Sequence, residues 1–449
     1  MKKNKQLVKL IIFFTFISMC FYFFIIYADN IKMEKQQRYD ILNIDRKNNT
    51  EDYLVFVSPI VYPGDNLEYL IDQYNEKYPD KMVKAIRIPK ESYYETLNLM
   101  LTSGEQVDIF QMDAEWFPSY VKNDFLLMLD PYLSNEFLNR FPEDIINSAK
   151  SITKRKNIYA LKWGDTSIRL IYNKDLFKRA HIDENTPPKT LDNLVQYSNA
   201  IAQSALGEGI YGFALPAGSE WSGFALSMEI PGTYSNVYRY DFKNNSYDLN
   251  VYKPWLEAFI KMKEEKSLFP GELSLQYDHA LAQFSLGNIG MMFAPSWALI
   301  ALRDSYYSSG SIGVAYPPLF SDSTNQGTLE TVPDYFGINS QTNYREAAFE
   351  FWKFLYSDDY YIACYNQGIT SPVIPSIKES TSISNQYNQR FLIPDDKTEA
   401  NYPIPLLNIY EQSRFKTYGQ ILQGTISVTE GLQQESKKLN DFMEMKQLK

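Results

Sequence analysis

Histidine and cysteine are nearly missing from this chain, whose 449 residues hold two of each. His181 and His279 are too few to build an imidazole-based triad or a His-ligated zinc site, so no metal and no cofactor are expected. Cys20 falls in an N-terminal apolar run, which leaves Cys364 without a partner in the rest of the chain. No disulfide is expected there, and Cys364 beside Tyr365 reads as a small buried hydrophobe. Excess positive charge is missing too. Against 54 Asp and Glu stand 44 Lys and Arg, a net charge of −10. No basic stripe interleaved with aromatics offers a track for phosphates, so nucleic acid is not an expected partner. Internal repeats and low-complexity tracts are absent, and 45% apolar with 22% charged residues excludes a disordered chain.

Aromatic residues are abundant: 35 Tyr, 28 Phe and 6 Trp make up 15% of the chain. Tyrosine joins a broad apolar face to a polar tip, which suits wet binding surfaces as well as cores. The length allows two domains or one two-lobed body.

The N-terminus reads as an address. Lys2, Lys3, Lys5 and Lys9 precede an uncharged run from 10 to 28, long enough to cross about 30 Å of hydrocarbon as a helix. Lysines before it and Asp29 after it place the rest of the chain outside the membrane. Three fates compete. Ile17-Ser18-Met19-Cys20 occupies the place of a lipobox, which would lipidate Cys20 as in a lipoprotein. Met19 replaces the usual small residue, and the apolar run continues past Cys20. Cleavage of a signal after Ala28 is the second fate. An uncleaved transmembrane anchor is the favoured third, followed by a polar, flexible spacer over 29–50.

From Tyr53 onward short apolar strands alternate with helix-period stretches. Strands are expected at 53–57, 83–88 and 107–112, separated by helices with stripes Leu67, Leu70, Ile71, Tyr74, Tyr78 and Tyr93, Leu97, Met100, Leu101. That βαβαβ alternation predicts an α/β fold with a mostly parallel sheet. Later strands are expected at 168–172, 210–215, 289–293 and 312–316. Thr190 follows Pro187-Pro188 and suits the N-cap of a helix over 191–205. Gly207, Gly209 and Gly212 spell G-x-G-x-x-G, but after a helix and before a strand, the reverse of the nucleotide-binding order. They read as a helix stop and turn.

The segment Tyr172-Asn173-Lys174-Asp175-Leu176-Phe177, followed by Pro187-Pro188 and Thr190, resembles the family 1 extracellular solute-binding proteins, the group that includes maltose-binding protein. Phe284, Gly287, Gly290, Met291, Met292 and Trp297 match a second family run, and shorter matches extend from 53 to 435 in the family's order. Val107, Lys162 and Pro333-Asp334-Tyr335 depart from it, the family having Pro at the first two places and Gly-Gly near the third.

The resemblance implies two α/β lobes, 51–161 plus 331–371 and 162–330 plus 372–449, closing like a hinge around a ligand. It implies a monomeric binding protein, not an enzyme, that hands a sugar or oligosaccharide to the permease subunits of an ABC importer. A membrane sensor role, a peptide or anionic ligand, and a carbohydrate-active enzyme are the alternatives. Ligands in such folds lie in the crevice beyond the strand ends. Loops expected there carry Tyr62, then Asp113, Glu115 and Trp116, then Trp163 and Asp165, then Glu220 and Trp221, then Trp297, with Asp334 and Tyr335 near the hinge. Aromatic rings suit the apolar face of a pyranose, and carboxylates accept hydrogen bonds from its hydroxyls. Trp255 and Trp352, in helix-period stretches, read as core. Asp113 with Glu115 could pass for a glycosidase pair, but neighbouring acids on a loop are common and nothing else suggests hydrolysis.

Overall fold

The computed structural model describes residues 53–60, 67–114, 116–151, 156–218, 223–298, 302, 311–322, 324–327, 329, 331–366, 371–374 and 407–445. The apolar run at 10–28, with Cys20, lies outside them. Among the described residues no helix is long and apolar enough to cross a membrane.

The first half begins as its pattern predicts. Strand β1 (Leu54–Ile60) leads to α1 (Leu67–Lys77), β2 (Val83–Pro89), α2 (Tyr93–Ser103) and β3 (Ile109–Asp113). Helix α1 buries Leu70, Ile71 and Tyr74, but ends one residue before Tyr78, which is 39% exposed. Helix α2 buries Tyr93, Leu97 and Met100 and stops at Gly104, whose φ of 75° is a left-handed cap that glycine adopts without steric cost. The short α3 (Phe117–Lys122) follows.

Strands β4 (Lys162–Thr166) and β5 (Ile168–Asn173) are separated by one residue and belong to different sheets. Helix α4 (Lys174–Arg179) is capped by Asn173 and α5 (Leu191–Ser204) by Thr190, whose hydroxyl accepts from the Asn193 amide. Then come β6 (Tyr211–Phe213), α6 (Lys253–Glu264), α7 (Tyr277–Ser285), β7 (Ile289–Pro295) and β8 (Ile312–Ala315). The chain returns to the first sheet through β9 (Val332–Ile338), α8 (Arg345–Leu355), α9 (Asp358–Asn366) and β10 (Ser371–Pro372), and ends in α10 (Leu407–Leu422) and α11 (Val428–Met445).

The described strands form two main sheets, one for each lobe, besides a small two-stranded ribbon of Tyr240–Asp241 with Ser246–Tyr247. The first has the order β10-β4-β9-β3-β1-β2 and the second β8-β5-β7-β6. Neither is mostly parallel. Only β2-β1-β3 and β6-β7 run parallel, whereas β9, β4 and β10 join the first sheet antiparallel, and β5 and β8 the second. A βαβ pattern specifies neighbours that are close in sequence. It is silent on strands that arrive from the other lobe.

Each sheet has its own core. The first gathers Phe56, Ile109, Phe336, Phe351, Trp352 and Tyr356. The second gathers Leu170, Phe213, Trp255, Phe259, Met291 and Phe293, and draws in Tyr410, Leu432 and Leu439 from the C-terminal helices. Those helices are also tied by charge. Arg414 pairs with the buried Glu229, which accepts from the Tyr410 hydroxyl at 2.5 Å. Glu229 ends a five-residue π-helical turn, Ala225–Glu229.

The glycine triplet does the work of a turn. Gly207 and Gly209 have φ of 84° and 77°, and Gly212 lies where α5 presses on β6, its missing side chain leaving room for the Ser198 backbone. A methyl group there would overlap the Ser198 carbonyl. We expect Gly212→Ala to destabilise the protein by about 1–3 kcal/mol in a urea titration; a loss below about 0.5 kcal/mol would mean that α5 backs away freely.

Candidate functional site

The C-terminal ends of β1, β2 and β3 form one rim of the first lobe. Strand β2 runs into a single 3₁₀ turn, Lys90–Ser92, and then α2. This brings the Lys90 ammonium 2.8 Å from the Asp113 carboxylate at the end of β3. Tyr94, in the first turn of α2, accepts a hydrogen bond from the Asp113 amide at 2.7 Å. Its ring lies parallel to the Trp116 indole, centroids 4.5 Å apart and planes 11° off, with Lys90 5.3 Å from its centre. Tyr120 extends the stack, 6.0 Å from Trp116. On the neighbouring strand Arg87 donates to Ser58 at 3.0 Å.

Strand β9 enters between β3 and β4, in a register that sets Asp334 directly opposite Asp113 and Gly164. Gln111 donates to the Asp334 carboxyl at 3.1 Å. That carboxyl is pushed up to about 7, first by burial and then by the Asp113 charge, with Lys90 and the Gln111 bond opposing the rise. Near neutral pH it can therefore both donate and accept hydrogen bonds. Asp165, on β4, accepts from Lys162 and from the Thr331 hydroxyl, each at 2.7 Å.

Asp113, Trp116 and Asp334 are thus brought together on one rim, and Asp165 is one strand further over. Trp163 is placed elsewhere: it packs into the first core against Phe336, and its indole donates to the Leu355 carbonyl at 2.8 Å. Tyr335 is buried against Phe117, with its hydroxyl well above the usual phenol range because of that burial. Trp297 follows β7, buried with its ring edge-on to Tyr277 at 5.5 Å. Tyr62, Glu115, Glu220 and Trp221 lie outside the described residues.

Sequence reasoning missed Tyr94 and Lys90. Tyr94 stands off the buried stripe of α2, and an aromatic off the stripe beside a strand end is the signal that could have found it. In the second lobe, Tyr316 stacks on Tyr234 at 5.1 Å and 7°, with the buried Arg169 guanidinium 4.5 Å from the Tyr316 ring. Strand-end aromatics flanked by carboxylates and cations can hold a small ligand that has both an apolar face and hydrogen-bonding edges.

Comparison with known proteins agrees with this fold. The profile described as bacterial extracellular solute-binding protein matches residues 60–362. A binding protein of Brucella abortus (strain 2308) is 24% identical over 278 residues, 61% of this chain and 64% of that protein. The match thus spans a little under two thirds of that relative's length. The sn-glycerol-3-phosphate-binding periplasmic protein of Escherichia coli (strain K12) is 28% identical over 179 residues, 38% of each chain. Among solved structures, an ABC transporter solute-binding protein from Thermotoga lettingae bound to α-D-tagatose superimposes with a TM-score of 0.76. It shares 18% identity, over 87% of this chain and 99% of that one. A maltose-bound protein of T. maritima gives a TM-score of 0.72 at 20% identity, with the same coverage. On the extent of the profile match, this chain belongs to the bacterial extracellular solute-binding protein family.

Proposed function

We propose that this protein is the extracytoplasmic substrate-binding component of an ABC importer, capturing a sugar or oligosaccharide between its lobes and delivering it to permease subunits. The observation that carries this reading is the parallel Tyr94–Trp116 stack beside Asp113 and Asp334. A pyranose lays its apolar face on such rings while its hydroxyls donate to the carboxylates. The tagatose- and maltose-bound proteins that share the fold support the same ligand class.

In this reading Asp113, Trp116 and Asp334 contact ligand from the first lobe, and Tyr62 and Glu115 join them. Glu220, Trp221 and Trp297 approach from the second. Trp163 and Tyr335 act through the packing beneath the rim. The lobes comprise 51–161 plus 331–371 and 162–330 plus 372–449. The protein acts by binding rather than catalysis, as a monomer, held at the outer face of the cell membrane through residues 10–28. Ligand favours the closed form only by its differential affinity for closed over open.

A thermal-shift screen of the full-length protein tests the ligand class. Mono- or oligosaccharides should raise the melting temperature through linkage; a rise with glycerol phosphate or peptides alone would overturn the sugar assignment. With the best sugar, Trp116→Ala should weaken binding by about 1–3 kcal/mol in calorimetry, the worth of one large apolar contact, whereas unchanged affinity would remove the stack from the site.

Asp334 sets a pH dependence. Its folded carboxyl holds a proton more tightly than the unfolded chain does, so its contribution to stability is intact below about pH 4 and is lost as pH rises through about 7. Asp334→Asn should therefore stabilise the ligand-free protein more at pH 8 than at pH 4, by about 2 kcal/mol at most, since the residue keeps some solvent contact. Denaturant titrations at the two pH values read the difference. An equal effect at both would show that Asp334 titrates normally.

A further inference from the structure

Lys162, the first residue of β4, forms an ion pair within its own strand. It faces Asp165 although the two stand three positions apart on one strand, where side chains alternate between faces. The cause is a bulge. Between Gly164, opposite Asp334, and Lys162, opposite Tyr335, β4 advances two residues while β9 advances one. Trp163 is the extra residue, and it turns Lys162 onto the face of Asp165. The pair is closed at 2.7 Å with both side chains buried, 7% and 6% exposed.

Asp165 also marks the place where the chain passes between lobes. Its backbone lies in register with Ser371 of β10 on one side and Pro333 of β9 on the other. Strand β4 passes through Ser167 into β5 of the second sheet, and Thr331 immediately precedes β9 on the way back. The Thr331–Asp165 hydrogen bond, 2.7 Å and buried, therefore joins the outgoing crossing to the returning one.

Upstream of this point β4 is clamped to the first lobe. Tyr356 donates to the Leu161 carbonyl at 2.6 Å, Tyr361 to that of Trp163, and the Trp163 indole to Leu355. Downstream, Ser167 accepts from the Ser296 amide of the second lobe at 2.9 Å. Bending must be absorbed within this short span.

We propose that Lys162, Asp165 and Thr331 form a buried staple that ties the interlobe crossings into one unit and sets the resting angle between the lobes. The three are positioning residues: they hold the crossings, and through them the two rims. A buried charge pair suits this task because removing either partner leaves the other uncompensated, so the bonded geometry is strongly preferred. The inference rests on the reading that the lobes move about a hinge and is independent of which ligand is bound.

The test needs no ligand. In the full chain carrying Cys20→Ser and Cys364→Ala, spin labels at E346C on α8 and K261C on α6 report the interlobe distance distribution by pulsed electron resonance. Thr331→Val keeps the residue's shape and the Lys162–Asp165 pair but breaks the link between crossings; it should broaden the distribution and move its centre by about 3 Å or more. The charge-neutral pair K162M with D165N should do the same, even where its melting temperature recovers relative to D165N alone. If both variants keep the parent distribution and only melting temperatures change, the three residues are mere packing and the staple is wrong. Failure of every sugar to bind would sink the ligand assignment and leave this comparison intact.

Discussion

The seating of β9 between β3 and β4 is the constraint on which the rest of the molecule depends. It is an antiparallel strand set into a sheet whose other half is parallel, and it returns to that sheet after all four strands of the second sheet have been laid down. Register in a sheet with a buried face admits no one-residue slip without turning every side chain over. One choice of register therefore fixes several things together: Asp334 against Asp113, Phe336 in the core against Phe56, and Thr331 beside Asp165.

The abundance of tyrosine gains a physical reason from the same region. Tyr93 donates to the carbonyls of Val57 and Gln111, Tyr356 to Leu161, Tyr361 to Trp163, and Tyr172 to Glu184. Each ring packs against the body of the protein while its hydroxyl supplies a donor to a main-chain carbonyl. Phenylalanine could fill the space but not meet the carbonyl.

Local pattern made much of the fold legible. Alternation located β1, β2 and β3, the stripes located α1 and α2, and Thr190 marked a helix start as cap chemistry requires. Long-range pairing was not legible, because nothing near Asp334 in the chain says that it will face Asp113. The same limit applies to the rim. Asp113 and Trp116 could be read as strand-end residues, and Asp334 as a departure from a family pattern. Lys90 and Tyr94 become neighbours of Asp113 only when β2 and β3 flank β1 and α2 packs above them. Trp163 could not be told from a cleft tryptophan without the packing that sets its ring against Phe336 and its indole on the Leu355 carbonyl.

The closure of the second core by α10 and α11 bears on how the chain is made. Glu229 finds Arg414 and Tyr410 only in residues synthesised long after it. The first lobe in turn waits for β9, α8 and α9, so neither core can be completed from the N-terminal part of the chain. Early stretches such as β1-α1-β2 emerge without the elements that complete their core, and their full burial waits for β9, α8 and α9. Each core therefore closes only once residues beyond 331 are present, and the second only once α10 and α11 have joined it.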